Sequence, residues 1–448
     1  EELLLSSPSS FTINDDIVWP LDAAQRLSVY YSLPNFLVEA WIEQYGKEQT
    51  EQICKVCNEP GPITFRRNAL KCPSDKLLME RILKEEDLQL QPLPNVYLDA
   101  EIDDMDPCTD DNTSTSRNGM MLDGLDCREK GLWKPPRGCL RLPSAPHKRS
   151  IWSMGAWKDG WFEVQDMGSQ IIVQATEAIW GETIVDYCAG NGGKTLALAS
   201  KMHDHKFQKR NQDICKNIAI SATANFSSND DFGDSGSNHS IIFAHDISDE
   251  RIRQLQGSFQ RAGIASSSKH NDGNDQCDGH HYHQQNIKIV TTANAKEDLF
   301  EQMADVVLVD APCSSSGVLR RRPSQRWDID PTEVHHALPA LQLEILQNAS
   351  KLVKPGGRLV YATCSILKWE NENVVKEFEQ QQQVSDDPND GDLWIRWNFH
   401  DDNNECHSSS KLSEQAMDNS ISLPHCKYLL PHCHNSDGFF IARWKKGF

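Results

Sequence analysis

Residues 183–195 read TIVDYCAGNGGKT, and this stretch indicates the architecture of the larger part of the chain. Residues 183–186 predict a short buried strand, the glycines predict a tight turn, and a helix is predicted from Thr195 to Met202. Glycines let a backbone approach a ligand closely, and the first turn of a helix offers free N–H groups. A P-loop is excluded because it would need glycine where Cys188 stands. The stretch therefore predicts a strand–turn–helix unit with a ligand-binding turn; the alternative is a turn with a structural role only.

The alternation of strands and helices continues towards the C-terminus. Apolar runs predict strands at 240–244, 287–290, 304–310, 358–362 and 438–442, and helices at 249–263 and 339–353. Pro355-Gly356-Gly357 predicts a turn between the second helix and the strand after it. Such alternation is typical of an α/β protein with a doubly wound sheet, whose parallel strands open at their carboxyl ends onto one ligand-binding crevice.

The N-terminal part of the chain has a different pattern. Helical spacing predicts helices at residues 36–45, 49–57 and 74–83, and alternating residues predict an exposed strand at 63–68. We therefore predict a smaller α+β subdomain over residues 22–150, followed by the doubly wound domain over residues 151–448.

The formal net charge of −20 argues at first against a nucleic-acid partner. Nearly all of this charge lies in four segments that are rich in Ser, Asn, Asp and Gly and poor in apolar residues: 99–126, 227–240, 265–283 and 383–405. That composition is typical of disordered insertions. The remaining chain is close to neutral, so the acidity does not exclude an RNA-binding core.

The 14 cysteines are scattered, which predicts reduced thiols in an intracellular protein. No apolar run is long enough to span a membrane, and no secretory leader is visible at the start. Cys54 and Cys57 form half of a zinc motif without a second pair at zinc-finger spacing. We therefore predict no metal site and no membrane contact. The compartment stays open between cytoplasm, nucleus and organelle.

Two cysteines follow predicted strands. Cys313 follows Asp310-Ala311-Pro312, and Cys364 lies in Thr363-Cys364-Ser365. Because the carboxyl ends of parallel strands meet at one crevice, the sequence predicts two thiols and one carboxylate facing a single small substrate. A thiolate is a strong carbon nucleophile. For either cysteine alone, a buried structural thiol is the alternative.

Two further patterns allow a functional and a structural interpretation. Asp246 ends a predicted strand and can accept the hydroxyls of a ribose, or it can be the N-cap of the next helix. Arg320-Arg321-Arg322 precedes Arg326-Trp327, and a basic run beside an aromatic residue suits phosphate contact and base stacking. The alternative for the basic run is a solvated loop.

At these positions the sequence resembles a known family. Residues 186–195, 310–317 and 363–365 are similar to the motifs of the Nol/Nop/Sun (RsmB-type) RNA cytosine-5 methyltransferases, which use S-adenosylmethionine. The resemblance extends through 27–68, 162–170, 320–327, 352–365, 370–372 and 437–442. It implies a Rossmann-like methyltransferase domain and a smaller N-terminal RNA-binding subdomain, whose family module begins near residue 55.

The resemblance also implies roles for three residues. Cys364 would be the thiolate that attacks carbon 6 of cytosine, which makes carbon 5 electron-rich. Asp310 would hold the ring at nitrogen 3 and supply or stabilise a proton there, which requires a carboxyl pKa raised by burial or by nearby negative charge. Cys313 would assist breakdown of the covalent adduct after methylation.

A site for S-adenosylmethionine is implied as well, with the glycine-rich turn around the methionine part and Asp246 on the ribose. Two departures from the family pattern are Gly190-Asn191, where Ala-Pro is usual, and Asn294, where Asp is common near the adenine. We expect Lys194 to point away from the positively charged sulfur. The expected cofactor-binding residues are Cys188, Ala189, Gly190, Asn191, Gly192, Gly193, Lys194, Asp246, Arg251, Asn294 and Asp310.

The implied function is transfer of a methyl group from S-adenosylmethionine to carbon 5 of cytosine in RNA, either rRNA or tRNA, by a monomer. A DNA cytosine-5 methyltransferase is an alternative, but it would use the thiol after Pro312 and leave Cys364 without a role. Another alternative is a non-catalytic RNA-binding factor of ribosome assembly that kept the fold.

Overall fold

The computed structural model describes residues 20–93, 136, 138–142, 150–207, 239–266, 280–284, 287–293, 301–386, 393–399 and 423–448. The predicted insertion 99–126 lies wholly outside these ranges, and the other three lie partly outside them. Their predicted disorder is therefore not tested. Asn294, expected near the adenine, also lies outside the described residues.

A small antiparallel sheet forms the N-terminal part, with the strand order β2-β3-β1-β4. Its core contains Phe65, Leu78, Leu140 and Phe162. Because β4 follows residue 150, the small sheet extends past the predicted domain boundary. The elements are α1 (Ala23–Tyr31), α2 (Asn35–Cys57), β1 (Ile63–Arg67), α3 (Asp75–Glu86), β2 (Gln91–Pro92), β3 (Cys139–Leu142), α4 (Gly155–Lys158) and β4 (Phe162–Val164).

The first two helices do not pack in the core of the small sheet. Leu37 and Trp41 of α2 are fully buried in a cluster that also contains Leu319, Ile366 and Leu367 from the larger part of the chain. The helices predicted at 36–45 and 49–57 are joined into α2, which is interrupted at Gly46, where φ is 77°. The first two helices, α1 and α2, here called the front helices, thus pack against the outside of the larger part.

A ten-stranded sheet forms the larger part in the described residues, with the order β12-β14-β11-β10-β5-β6-β9-β8-β7 and β13 paired to β14. Its strands are β5 (Thr183–Asp186), β6 (Ser240–Asp246), β7 (Ala265–Ser266), β8 (His280–Gln284), β9 (Ile287–Ala293), β10 (Ala304–Asp310), β11 (Val353–Thr363), β12 (Trp394–Arg396), β13 (Cys426–Leu429) and β14 (Phe439–Lys446). The central strands β11, β10, β5, β6 and β9 pair in parallel. The predicted doubly wound α/β fold is confirmed.

Helices cover both faces of this sheet. They are α5 (Met167–Ala175), α6 (193–207), α7 (Asp249–Arg261), α8 (Leu338–Lys351), α9 (Glu372–Gln382) and the short α10 (Pro431–His434). Val306 and Leu308 of β10 pack with α5–α7, whereas Val307 and Val309 pack with α8 and α9. The strand is buried on both faces because successive side chains point to opposite sides. The chain order reverses between β5 and β10, so the crevice at their carboxyl ends is the expected ligand site.

The predicted turn at Pro355-Gly356-Gly357 belongs to β11 in the structure. The pairing of β11 with β10 shifts register here, from Ala304 opposite Val353 to Val306 opposite Arg358. Gly356 has a φ of 73°, a left-handed conformation that favours glycine. The local signal therefore marks a bulge inside the strand, because pairing with β10 resumes on both sides.

Most of the basic run binds other parts of the chain, and the prediction of phosphate contact is wrong for Arg320 and Arg326, whose side chains are buried. Arg320 and Arg321 both bind Asp437, and Arg321 also binds Asp166 at 2.7 Å. Arg326 is only 5% exposed. Only Arg322 of this run is exposed without a partner in the described ranges.

Arg326 joins the front helices to the loop after β10. Its Nη1 donates to the carbonyls of Tyr31 and Ser32 and to Oδ1 of Asn58, and its Nη2 donates to the carbonyl of Cys57. These acceptors lie at the ends of α1 and α2, where carbonyl groups lack partners within the helix. A planar guanidinium can reach several of them at once.

We expect Arg326→Lys to lower the free energy of unfolding by about 3 kcal/mol, because one ammonium group cannot replace the bonds of a buried guanidinium to four acceptors. Arg322→Lys is the matched control and should change the free energy of unfolding by less than about 0.5 kcal/mol. Urea denaturation of the two variants measures both values. Equal stability of the two variants would contradict the joining role of Arg326.

Candidate active site

The two predicted cysteines meet at the carboxyl ends of β10 and β11. Asp310 pairs with Ala362 across these parallel strands, so Cys313 and Cys364 leave the sheet side by side. Their Sγ atoms are 3.3 Å apart, and both residues are half-buried. The structure therefore confirms the predicted meeting of two thiols and one carboxylate at one crevice, while the role of each residue stays a prediction.

The backbone beneath the sulfurs is tied together. The N–H of Gly317 donates to the carbonyl of Cys364 at 2.9 Å, and the N–H of Gly438 donates to the carbonyl of Gly317 at 2.8 Å. A Cβ atom on Gly317 would lie 2.3 Å from the carbonyl oxygen of Gly438. Glycine is therefore required at residue 317 for this close approach.

The pKa values of the two thiols are shifted in opposite directions. A hydrogen bond from Cys313 lowers the pKa of Cys364 below that of an ordinary cysteine, and Ser315 and the positive charge of Lys194 act in the same direction against burial and Asp310. The same hydrogen bond raises the pKa of Cys313, with burial and the charges of Cys364 and Glu370 adding to the effect. Of the two thiols, Cys364 therefore loses its proton more readily and Cys313 keeps its proton more firmly.

Lys194 contacts the carboxylate of Asp310, with Nζ 2.6 Å from Oδ2. Burial lowers the pKa of Lys194, but the charge and hydrogen bond of Asp310, together with the charges of Cys364 and Asp186, raise the pKa above that of an ordinary lysine. Lys194 was predicted to lie in the cofactor-binding turn, but this ion pair was not predicted. The role of Asp310 as a proton source stays a prediction.

The glycine-rich turn between β5 and α6 has the geometry of a ligand cradle. Gly190 and Gly192 have φ values of 53° and 74°, and a Cβ atom on Gly192 would lie 2.5 Å from Leu255. Glycine at residue 190 therefore fits the turn where the family usually has alanine. Cys188, Ala189, Gly190, Asn191 and Gly192 form the turn, and Gly193 and Lys194 begin α6.

Asp246 connects this turn to β6. Its Oδ2 accepts the N–H of Gly190 at 2.9 Å and lies 3.6 Å from Nη1 of Arg251, while its Oδ1 accepts the N–H of Ser248. The N-cap of α7 is Ser248, whose hydroxyl accepts the N–H of Arg251. The N-cap interpretation of Asp246 is therefore wrong, and its role towards a ribose stays a prediction.

A buried carboxylate at the end of β5 has free acceptor capacity. Oδ2 of Asp186 accepts the hydroxyl of Thr195 at 2.7 Å, whereas Oδ1 has no partner among the described residues. Burial raises the pKa of Asp186 to about 7. An unpaired acceptor beside this glycine-rich turn fits a cofactor that has N–H or O–H donors and also an amino-acid end. S-adenosylmethionine has both.

The described residues contain no helix long and apolar enough to cross a membrane. They also contain no group of three or more His, Cys, Asp or Glu residues arranged to hold a metal ion. Burial raises the pKa values of Cys54 and Cys57 to about 12, which keeps both as thiols on α2.

Two family models match the chain. The model described as 16S rRNA methyltransferase RsmB/F matches residues 236–445, and the ferredoxin-like domain of RsmF/B-like methyltransferases matches residues 33–98. The first contains both cysteines and Asp310, and the second contains β1 and α3 of the small sheet.

Relatives align along nearly the whole chain. The probable ribosomal RNA small subunit methyltransferase B of Synechocystis sp. is 27% identical over 94% of this chain and 68% of its own length. The protein with the same description from Bacillus subtilis is 23% identical over 95% of this chain and 69% of its own length. The structure of NSun6 from Pyrococcus horikoshii with SFG shares the fold, with a TM-score of 0.56 and 21% identity over 92% of this chain and 98% of that chain.

Because two models of one family match both parts of the chain and its relatives align over almost its full length, the chain belongs to the RsmB/F family of RNA methyltransferases.

Proposed function

We propose that this protein transfers a methyl group from S-adenosylmethionine to carbon 5 of a cytosine in small-subunit ribosomal RNA, through a covalent adduct with Cys364. The observation that carries the proposal is the pair of sulfurs 3.3 Å apart, one with a lowered and one with a raised pKa. The choice of ribosomal RNA is supported by the descriptions of the matching family and of the relatives, which name ribosomal RNA as their substrate.

The thiolate of Cys364 solves the main chemical difficulty. Carbon 5 of cytosine is a poor nucleophile, and addition of a thiolate to carbon 6 places electron density on carbon 5. S-adenosylmethionine supplies an electrophilic methyl group when it is bound. The glycine cradle and Asp246 would hold this cofactor on the β5–β6 side of the crevice, opposite the cysteines on β10 and β11.

The ion pair of Lys194 and Asp310 can neutralise charge that develops on the cytosine ring. In the adduct, negative charge develops at nitrogen 3, and we expect this atom to lie next to Asp310. A proton shared between Lys194 and Asp310 can pass to this nitrogen, because the two groups are already joined at 2.6 Å. Asp310 then orients the ring by accepting the new N–H of nitrogen 3, and the proton returns from nitrogen 3 to the pair when the adduct breaks down.

Cys313 acts when the adduct breaks down. After a base removes the proton from carbon 5, the bond between carbon 6 and Cys364 breaks and its electrons return to sulfur. The thiol of Cys313 lies at hydrogen-bond distance from that sulfur and stabilises the departing thiolate. The raised pKa of Cys313 keeps the donor proton in place.

Two cysteine substitutions should have opposite effects on the adduct. We expect Cys364→Ala to reduce methyl transfer by about 10³-fold or more while cofactor binding is kept, because the nucleophile is lost. Cys313→Ala should accumulate a protein–RNA adduct that survives denaturing electrophoresis. Transfer of tritium from labelled cofactor to RNA, with DNA as the control substrate, and the gel shift measure the two effects.

Accumulation of the adduct in Cys364→Ala would reverse the assignment of the two thiols. Transfer to DNA at a rate equal to RNA would contradict the choice of substrate. Cofactor binding without transfer to any RNA in the unmodified protein would favour the non-catalytic alternative.

Methyl transfer should lose rate as the pH falls through the pKa of Cys364. This pKa is below that of free cysteine, about 8.5, so the thiolate is present at lower pH than an ordinary thiol would allow. Ser315→Ala removes the hydroxyl that lies 3.3 Å from Sγ of Cys364 and lowers the pKa of this thiol, so it should move the acid limb of the profile to higher pH.

The exposed Ser324 of the following loop provides the control variant Ser324→Ala, which should leave the profile unchanged. Single-turnover rates are measured across a pH series for the unmodified protein, Ser315→Ala and Ser324→Ala. A profile whose acid limb is the same in Ser315→Ala as in the unmodified protein would contradict the role of Ser315.

A further inference from the structure

We propose that Glu370 is the positioning residue of the cysteine pair: its carboxylate ties the Cys313 loop to the Cys364 loop and increases the difference between the two thiols in how firmly each holds its proton. This inference rests on the proposed two-cysteine mechanism. Glu370 lies in a 3₁₀ turn, Lys368–Glu370, shortly after Cys364, and its side chain is fully buried.

The carboxylate of Glu370 bridges the residues that directly follow the two cysteines. Its Oε2 accepts the hydroxyls of Ser314 and Ser365, each at 2.5 Å. Its Oε1 accepts the N–H of Ser314 at 2.7 Å. One side chain therefore fixes the backbone beside Cys313 and the backbone beside Cys364.

A third element joins the same carboxylate. Nε2 of Gln342, on α8, lies 3.1 Å from Oε1 of Glu370 and 2.9 Å from the carbonyl of Pro312. The hydroxyl of Tyr361 donates to the backbone carbonyl of Glu370 at 2.7 Å. The turn that carries Glu370 is thus anchored on β11, and the carboxylate braces the cysteine loops against α8.

The partners of this carboxylate are neutral, and no ion pair of Glu370 is present in the described part of the chain. A buried charge is costly, and proteins usually neutralise it with an opposite charge. Stability alone would be served as well by a neutral amide at this position. A carboxyl group at this position, in place of a neutral amide, therefore points to a task other than stability.

That task concerns Cys313. The charge of Glu370 is one of the causes that raise the pKa of Cys313, after the hydrogen bond to Cys364, burial and the charge of Cys364 itself. The charged groups that act on Cys364 are Asp310 and Lys194. Glu370 thus widens the difference between the two thiols, which keeps the donor proton on Cys313 and the nucleophilic charge on Cys364.

Two substitutions separate position from charge. Glu370→Gln keeps one acceptor oxygen, and its amide N–H₂ can donate to the hydroxyls of Ser314 and Ser365, which rotate to accept. This variant removes the charge and keeps the bridge. Glu370→Ala removes both. The matched control is Glu372→Gln two residues later, where the carboxylate binds the hydroxyl of Tyr428 at 2.6 Å instead of the cysteine loops.

The test measures the pH dependence of alkylation of each cysteine in the full chain without RNA. Proteins are pulsed with iodoacetamide across a pH series, and peptides containing Cys313 and Cys364 are quantified by mass spectrometry. In Glu370→Gln the alkylation curve of Cys313 should move to lower pH and the interval between the two curves should narrow. In Glu372→Gln both curves should stay in place.

Methyl transfer provides a second readout. Glu370→Ala should lose roughly 100-fold in rate because the sulfurs lose their fixed separation, and Glu370→Gln should recover part of this loss. A residue with only a structural role would change the thermal midpoint without moving the alkylation curve of Cys313. The inference is overturned if Glu370→Gln folds and both cysteines keep their original curves. Because alkylation needs no RNA, that result is distinct from failure of the proposed methyl transfer.

Discussion

The parallel pairing of β10 with β11 is the constraint on which the site depends. Asp310 lies opposite Ala362, so the loops that carry the cysteines leave the sheet at the same level. The contact of Gly317 with the backbone of Gly438 leaves no room for a side chain at residue 317 and holds the first loop against the end of β14. The separation of 3.3 Å between the sulfurs is therefore set by backbone packing and does not rely on the flexible cysteine side chains alone.

Charge is distributed around the crevice in a definite order. Lys194 and Asp310 form one ion pair, the two sulfurs lie at hydrogen-bond distance, and Glu370 lies below the thiols with neutral partners. Each group biases its neighbour: Lys194 favours the thiolate of Cys364, and Glu370 disfavours a thiolate at Cys313. In a partly buried site such biases are larger than in water, because the effective dielectric constant is lower. Two identical side chains therefore differ in how readily each loses its proton.

The sequence predicted the central strands, the glycine-rich turn and the meeting of Cys313 with Cys364, because each depends on local pattern and on the geometry of parallel sheets. It did not predict the ion pair of Lys194, the bridge of Glu370 or the internal use of Arg326. These contacts join residues far apart in the chain, and a basic run has the same letters whether it faces phosphate or helix-end carbonyls. The turn predicted at Pro355-Gly356-Gly357 was wrong for a related reason. Its local preference for a turn is satisfied by a bulge inside β11, because β10 supplies a partner strand.

The most direct test of the account is to identify the cysteine that becomes joined to RNA. RNA containing 5-fluorocytosine cannot lose a proton from carbon 5, so an adduct formed in the presence of S-adenosylmethionine should persist in the unmodified protein. Digestion and mass spectrometry then locate the modified residue. We expect a nucleotide attached to Cys364 with the methyl group transferred. A nucleotide attached to Cys313, or methylated RNA without any covalent adduct, would contradict it.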